Sequence, residues 1–129
     1  MKKLLLVSLF LLTTQLSYSQ GMWGSSPQTV MRTVTKLGAT LNSQDTNDKG
    51  ELFLFFDVKE GLVSAFIFEN QLLTGCLISV NTKFLIPSTP TGEERNINGK
   101  TVWIDYTKKE RTTRTYEGEW VTDTVQPIN

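Results

Sequence analysis

The sequence predicts an α+β domain in which one N-terminal amphipathic helix packs on an antiparallel sheet of about five strands. Three observations carry this. Val30, Val34, Leu37 and Leu41 recur at spacings of four, three and four, which aligns them on one face of a helix. Downstream the pattern switches to the short apolar runs 52–56, 62–68 and 72–80. The connectors between those runs are short enough to be hairpin turns.

The elements follow in chain order. Lys2 and Lys3 precede the apolar stretch Leu4 to Leu12, and Ser17 and Ser19 flank Tyr18. That is the layout of a secretory signal peptide over residues 1–19, cleaved after Ser19. Thr13, Thr14 and Gln15 end the apolar stretch well below the roughly 20 residues that a membrane span requires. Residues 20–129 then read as a single small domain, exported to the periplasm or beyond the cell. No cysteine follows the apolar stretch, which argues against a lipid anchor.

After a short leader containing Trp23, either Ser25 (with Gln28 three residues on) or Ser26 can cap a helix running from about Ser26 to Leu37. Pro27 suits its first turn and Gly38 its end. Its threonines and valines are modest helix formers, so packing on a sheet has to supply most of its stability. Asn42 to Gly50 is polar and turn-rich and reads as a surface loop. Leu52 to Phe56, Leu62 to Phe68 and Leu72 to Val80 form a three-stranded meander. Pro87, Pro90 and Gly92 mark a loop, before which Lys83 to Ile86 can extend the sheet by a few residues. Thr101 to Thr107 is a strand with Val102, Ile104 and Tyr106 on one side and Trp103 on the other. Arg111 to Glu117 reads as an exposed edge strand whose charges deter aggregation. Trp120 and Val121 close the core, and the residues after them fray.

Composition excludes several functions. Removing residues 1–19 leaves 11 basic against 13 acidic side chains, a net charge of −2, without the basic excess that nucleic-acid binding demands. The stretch from Lys108 to Arg114, interrupted by Glu110, reads as a solvated strand face. With no histidine and one cysteine, the usual zinc, copper and haem ligand sets cannot be assembled. Asp45 to Gly50 starts like a calcium loop, but Lys49 and Phe56 occupy positions that need oxygen ligands. No cofactor is expected. Cys76 lies in a strand-like apolar run and reads as a buried hydrophobe, with an intermolecular disulfide as the alternative.

Catalytic patterns are equally sparse. Serine would lack an imidazole base, and no Gly-x-Ser-x-Gly or phosphate-cradling loop is present. Glu93-Glu94 read as solvated loop charges. Glu117 and Glu119 could share a strand face, the one arrangement open to carboxylate chemistry, without a cleft to serve. The expectation is a protein that is not an enzyme. The aromatic surplus remains: either the apolar strands are simply core, or part of the sheet is an exposed apolar patch suited to a partner. Trp23 reads as a core plug or a hydrophobic staple.

The pattern Trp23-Gly-Ser-Ser-x-x-x-Val30, with a capped helix, a polar gap and then a meander, resembles small exported bacterial α+β domains. Those are of the kind found in the SmpA/OmlA outer-membrane assembly lipoproteins and in β-lactamase inhibitory protein. The resemblance covers residues 22 to 80 and implies a non-catalytic, envelope-associated, protein-binding domain. It lacks the lipobox cysteine and a second copy of the unit. The leading expectation is an interaction module that binds another envelope or secreted protein through its sheet face or a strand edge. The alternative is a small-molecule or lipid-binding domain with a pocket between helix and sheet lined by Phe53, Phe55, Phe66 and Phe68.

Overall fold

Ser26 starts the helix. In the computed structural model, which describes residues 22–128, its Oγ accepts the Thr29 N–H at 3.3 Å, and Pro27 takes the first helical position of α1 (Pro27–Lys36). The N-cap thus satisfies one of the orphan donors of the first turn. Val30 and Val34 of the expected apolar stripe are fully buried, whereas Leu37 is the half-buried C-cap and Leu41 lies beyond the helix, exposed on the first strand. The signal-peptide expectation for residues 1–19 lies outside the described residues. Among the described residues, no helix is long and apolar enough to cross a membrane.

Eight strands follow: β1 (Thr40–Thr46), β2 (Leu52–Lys59), β3 (Leu62–Glu69), β4 (Leu72–Asn81), β5 (Glu93–Ile97), β6 (Lys100–Asp105), β7 (Glu110–Glu117) and β8 (Trp120–Pro127). All pair antiparallel in a single sheet with the spatial order β1-β2-β3-β4-β8-β7-β6-β5. Two four-stranded meanders are therefore joined at the β4–β8 pair, where Cys76 lies opposite Val125 and Val80 opposite Val121. The connection from β4 to β5, residues 82–92, has to cross β8, β7 and β6 to reach the far edge. It does so as an irregular strap lying on the sheet.

The fold class is thus corrected. Among the described residues the chain is mostly β, with one short helix and an eight-stranded sheet, and not a helix on about five strands. The reason is that half of the strands carry little hydrophobic signal. β1 (Thr-Leu-Asn-Ser-Gln-Asp-Thr) is exposed at every position, so the segment expected as a loop is an edge strand held by backbone pairing to β2. β5 (Glu-Glu-Arg-Asn-Ile) is equally exposed and forms the other edge. β7, expected at an edge, lies between β6 and β8. The residues after Val121, expected to fray, are a central strand. Lys83 to Ile86 adds no strand; it is a turn that leads into the strap.

Turn chemistry sets the registers. Asn70 and Gln71 both take positive φ (52° and 67°), as do Asn98 and Gly99 (53° and 79°). That is the requirement of the two-residue turn whose twist matches flanking antiparallel strands. A bulge between Asp57 and Lys59 ends β2. There the Lys59 ammonium is buried with no hydrogen-bond partner among the described residues, a local cost to the fold.

The core lies on the inner face of the sheet. Under α1 it consists of Leu54, Phe56, Phe66, Phe68, Leu73 and Cys76, with Phe56 and Phe66 packed edge-to-face at 5.7 Å. Beyond the helix, Leu85 of the strap continues the cover over Ile78 and Val125. The helix is also tied to the sheet by backbone: Gly24 N–H donates to Leu73 O at 3.1 Å, and Leu73 N–H to Ser25 O at 2.9 Å.

Candidate functional site

Strand alternation divides the four candidate phenylalanines into two pairs. Phe66 and Phe68, at 7% and 1% exposure, point inward and belong to the core. Phe53 and Phe55 point to the opposite, outer face, where their rings stack at 6.2 Å and 12°. The four therefore do not converge, and no helix–sheet pocket lined by all of them is formed. What forms instead is an outer apolar surface. Phe53 lies opposite Ile67, and Phe55 opposite Ala65, which in turn lies opposite Leu77. Phe55 is 37% exposed, and Phe53, Val63, Ile67 and Leu77 are half-buried.

That surface has polar borders. On the β1 side Ser43 and Asp45 lie opposite Phe55 and Phe53, and Asn42 Nδ2 donates to Asp57 Oδ2 at 2.7 Å. On the β8 side the Ser79 and Thr122 hydroxyls share a hydrogen bond of 2.8 Å, and Leu77 faces Thr124. Farther along, at β6, both faces are covered, because the neighbours Val102 and Trp103 are 4% and 5% exposed. The contiguous apolar residues of the outer face described above run across β2, β3 and β4. An apolar centre with a polar rim is the anatomy of a docking surface.

A second feature lies on the inner face. Between the strap and strands β4, β8 and β7 is a cavity of about 120 Å3. Its walls include Leu62, Ile78, Val80, Leu85, Val121 and Val125. Lys108, Glu110, Thr112 and Asp123 supply polar groups, and Ser88 to Thr91 form the roof. Ile86 also lines it yet is 88% exposed, so the cavity reaches the surface there. Glu110 is only 7% exposed and its Oε1 accepts the Trp23 indole N–H at 3.3 Å. Trp23 is packed against the core, in keeping with the plug expected of it.

The strap is fastened by Arg114. Its Nε and Nη2 donate to the two carboxylate oxygens of Asp123 at 2.7 and 2.8 Å, and Nη2 also donates to the Ser88 carbonyl at 2.6 Å. The guanidinium sits 5.0 Å from the Trp103 ring centroid. The hydrogen bonds to Asp123 push the Arg114 pKa further up, against the effect of burial. The reading of Lys108 to Arg114 as a solvated face thus fails at Arg114, whose side chain is 9% exposed. At the far end of the strap Thr91 Oγ1 donates to Asp105 Oδ2 at 2.6 Å. That bond, with the Lys108 N–H, lowers the Asp105 pKa.

The other candidates are dispersed. Cys76 is buried, and burial, with Glu110 adding to it, pushes its pKa up to about 12. Asp45 to Gly50 folds as a turn in which Asn47 Oδ1 accepts the Lys49 and Glu51 N–H groups. Glu119 pairs with Lys83 at 3.3 Å and Glu93 with Arg95 at 3.2 Å, all at the surface, and Glu117 is exposed. Among the described residues, no three His, Cys, Asp or Glu side chains gather as a metal site. Compared with protein-family models, with curated proteins and with solved structures, the chain matches none.

Proposed function

We propose that this is an exported, non-catalytic interaction module that docks another envelope or secreted protein on the outer face of β2, β3 and β4. The observation that supports it is the stack of Phe53 and Phe55, the latter 37% exposed, on the β1-side flank of an apolar surface with polar borders. Exposed area of this kind is costly to keep in water and becomes favourable when a partner covers it. The strand edges suit docking less well. β1 and β5 are exposed and polar, and β5 carries Glu93, Glu94 and Arg95, a composition that discourages strand addition.

A photoactivatable phenylalanine analogue at position 55, used in intact cells, tests the reading. One discrete adduct is expected from position 55 and none from position 96 on the β5 edge. Equal labelling from both positions, or none from position 55, overturns the proposal. Export is read separately from the N-terminal sequence of the mature chain, expected to begin at Gln20.

A further inference from the structure

The charged side chains that β1, β2 and β3 turn toward the apolar outer surface are all acidic. Resting on the docking proposed above, we infer that the partner meets this surface with a cationic segment, apolar side chains with a lysine or arginine at each end, roughly 20 Å apart.

Register and strand alternation place these acids. Asp45 lies opposite Phe53. Asp57 stands two residues beyond Phe55 and opposite Val63, and Glu69 two residues beyond Ile67, so both share the face of those apolar side chains. Asp45, Asp57 and Glu69 are all exposed. Lys59, the one cation in β1 to β4, lies opposite the buried Leu62 and its ammonium is itself buried, so it brings no charge to the outer surface. Over residues 40–81 six acidic side chains stand against two basic ones, the second being Lys49 on the turn next to Asp48. In the other half of the sheet the outer face is mixed, with Arg111 bonded to Gln126 and Arg95 to Glu93.

From Val63 to Glu69 the chain advances six residues along β3, roughly 20 Å at about 3.3 Å per residue, with Ala65 and Ile67 between on the same face. A segment that covers this strip has one end near Asp57 and the other near Glu69. A cation at each end gains a counter-charge, whereas an acid there meets like charge beside a surface that is losing its water. Such complementarity fixes orientation and excludes wrong partners more than it adds affinity. It also disfavours a two-fold dimer through this face, because an isologous contact lays the same acidic border on itself.

Two end-blocked heptapeptides are matched probes, in which threonine alternates with apolar residues between two lysines or between two glutamates. Titrated into methyl-labelled protein at low salt, the lysine peptide should give saturable shifts of the Val63, Ile67 and Leu77 methyls. The methyls of Val121 and Val125 on the inner face should stay still. The lysine peptide should bind about tenfold more tightly than the glutamate peptide, the scale of two exposed ion pairs. Salt at about 0.5 M should bring the two to within about twofold. Asp57→Lys/Glu69→Lys should reverse the preference. Equal binding of the two peptides at those methyls, or a preference that survives both the salt and the reversed charges, overturns the inference and leaves the docking surface standing. The absence of saturable shifts with either peptide also overturns it, and the docking reading is then decided by the adduct at position 55, which does not depend on the partner's charge.

Discussion

Replacing Arg114 by methionine removes the clamp that joins the strap to the sheet. Three hydrogen bonds disappear, two to Asp123 and one to the Ser88 carbonyl. The Asp123 carboxylate, 16% exposed, is left without its counter-charge. Breaking a buried ion pair from one side costs about 3–5 kcal/mol. Because neither partner is fully sealed, the lower end applies, about 3 kcal/mol. With a urea dependence of roughly 1–2 kcal/mol/M for a domain of this size, the unfolding midpoint should fall by about 2 M. The double variant Arg114→Met/Asp123→Leu removes the stranded charge as well. It should recover roughly 2 kcal/mol relative to the single variant, since apolar replacement of a buried pair is often neutral. Arg114→Lys, which keeps the charge but cannot reach both Asp123 oxygens and Ser88 in one plane, should fall between. Chemical denaturation at pH 7 reads all four proteins. A loss below about 0.5 kcal/mol for Arg114→Met, the range of ordinary surface changes, would refute the clamp.

Gly92 sits at the end of the strap with φ +112°, and a Cβ there would come 2.5 Å from the Ile104 carbonyl oxygen. Gly92→Ala should cost about 2 kcal/mol and lower the melting temperature by roughly 10 °C in calorimetry. Cys76, with its pKa pushed up to about 12, should react with a disulfide reagent at pH 8 at least roughly a hundredfold more slowly in the native than in the urea-unfolded chain. Because burial disfavours the thiolate, the stability it contributes is present below its ordinary value of 9.0 and is lost as pH rises from there towards about 12. Asp105 has the opposite sign. Its lowered pKa means stability present above the ordinary 3.8 and lost as pH falls through the folded value. The difference in melting temperature between wild type and Asp105→Asn should be largest near neutral pH and shrink to nothing at the acid end of a pH series.

The legible parts of the fold were those with strong periodicity. The helix, capped by the second of the two serines that could start it, and the meander 52–80 appear where side-chain patterning placed them, because each buries apolar residues at its own period. β1 and β5 were invisible to that signal, since an edge strand that buries nothing has no alternation to detect. β5 had a different cue. Asn98-Gly99 is a strong hairpin dipeptide, and it joins β5 to β6. β7 misled because threonine and arginine suit an edge, whereas its arginine at 114 is turned inward onto Asp123 and Trp103. The outer-face surface was half legible: alternation alone separates Phe53 and Phe55 from Phe56. The cavity was not. It depends on which strands the strap crosses, and that is a property of long-range topology with no local trace in the residues.

The position of β8 has a consequence for how the molecule assembles. The first four strands can pair as they emerge, but β4 then presents a bare rim of peptide groups, with Cys76, Ile78 and Val80 beside it. Its true neighbour is encoded beyond residue 119, after the strap and three further strands. Closing so large a detour is slow, and an unsatisfied rim held open for that interval invites pairing with another copy. The keystone of this sheet is made after its seven other strands, so disrupting residues 120–127 would split it down the middle rather than trim its margin.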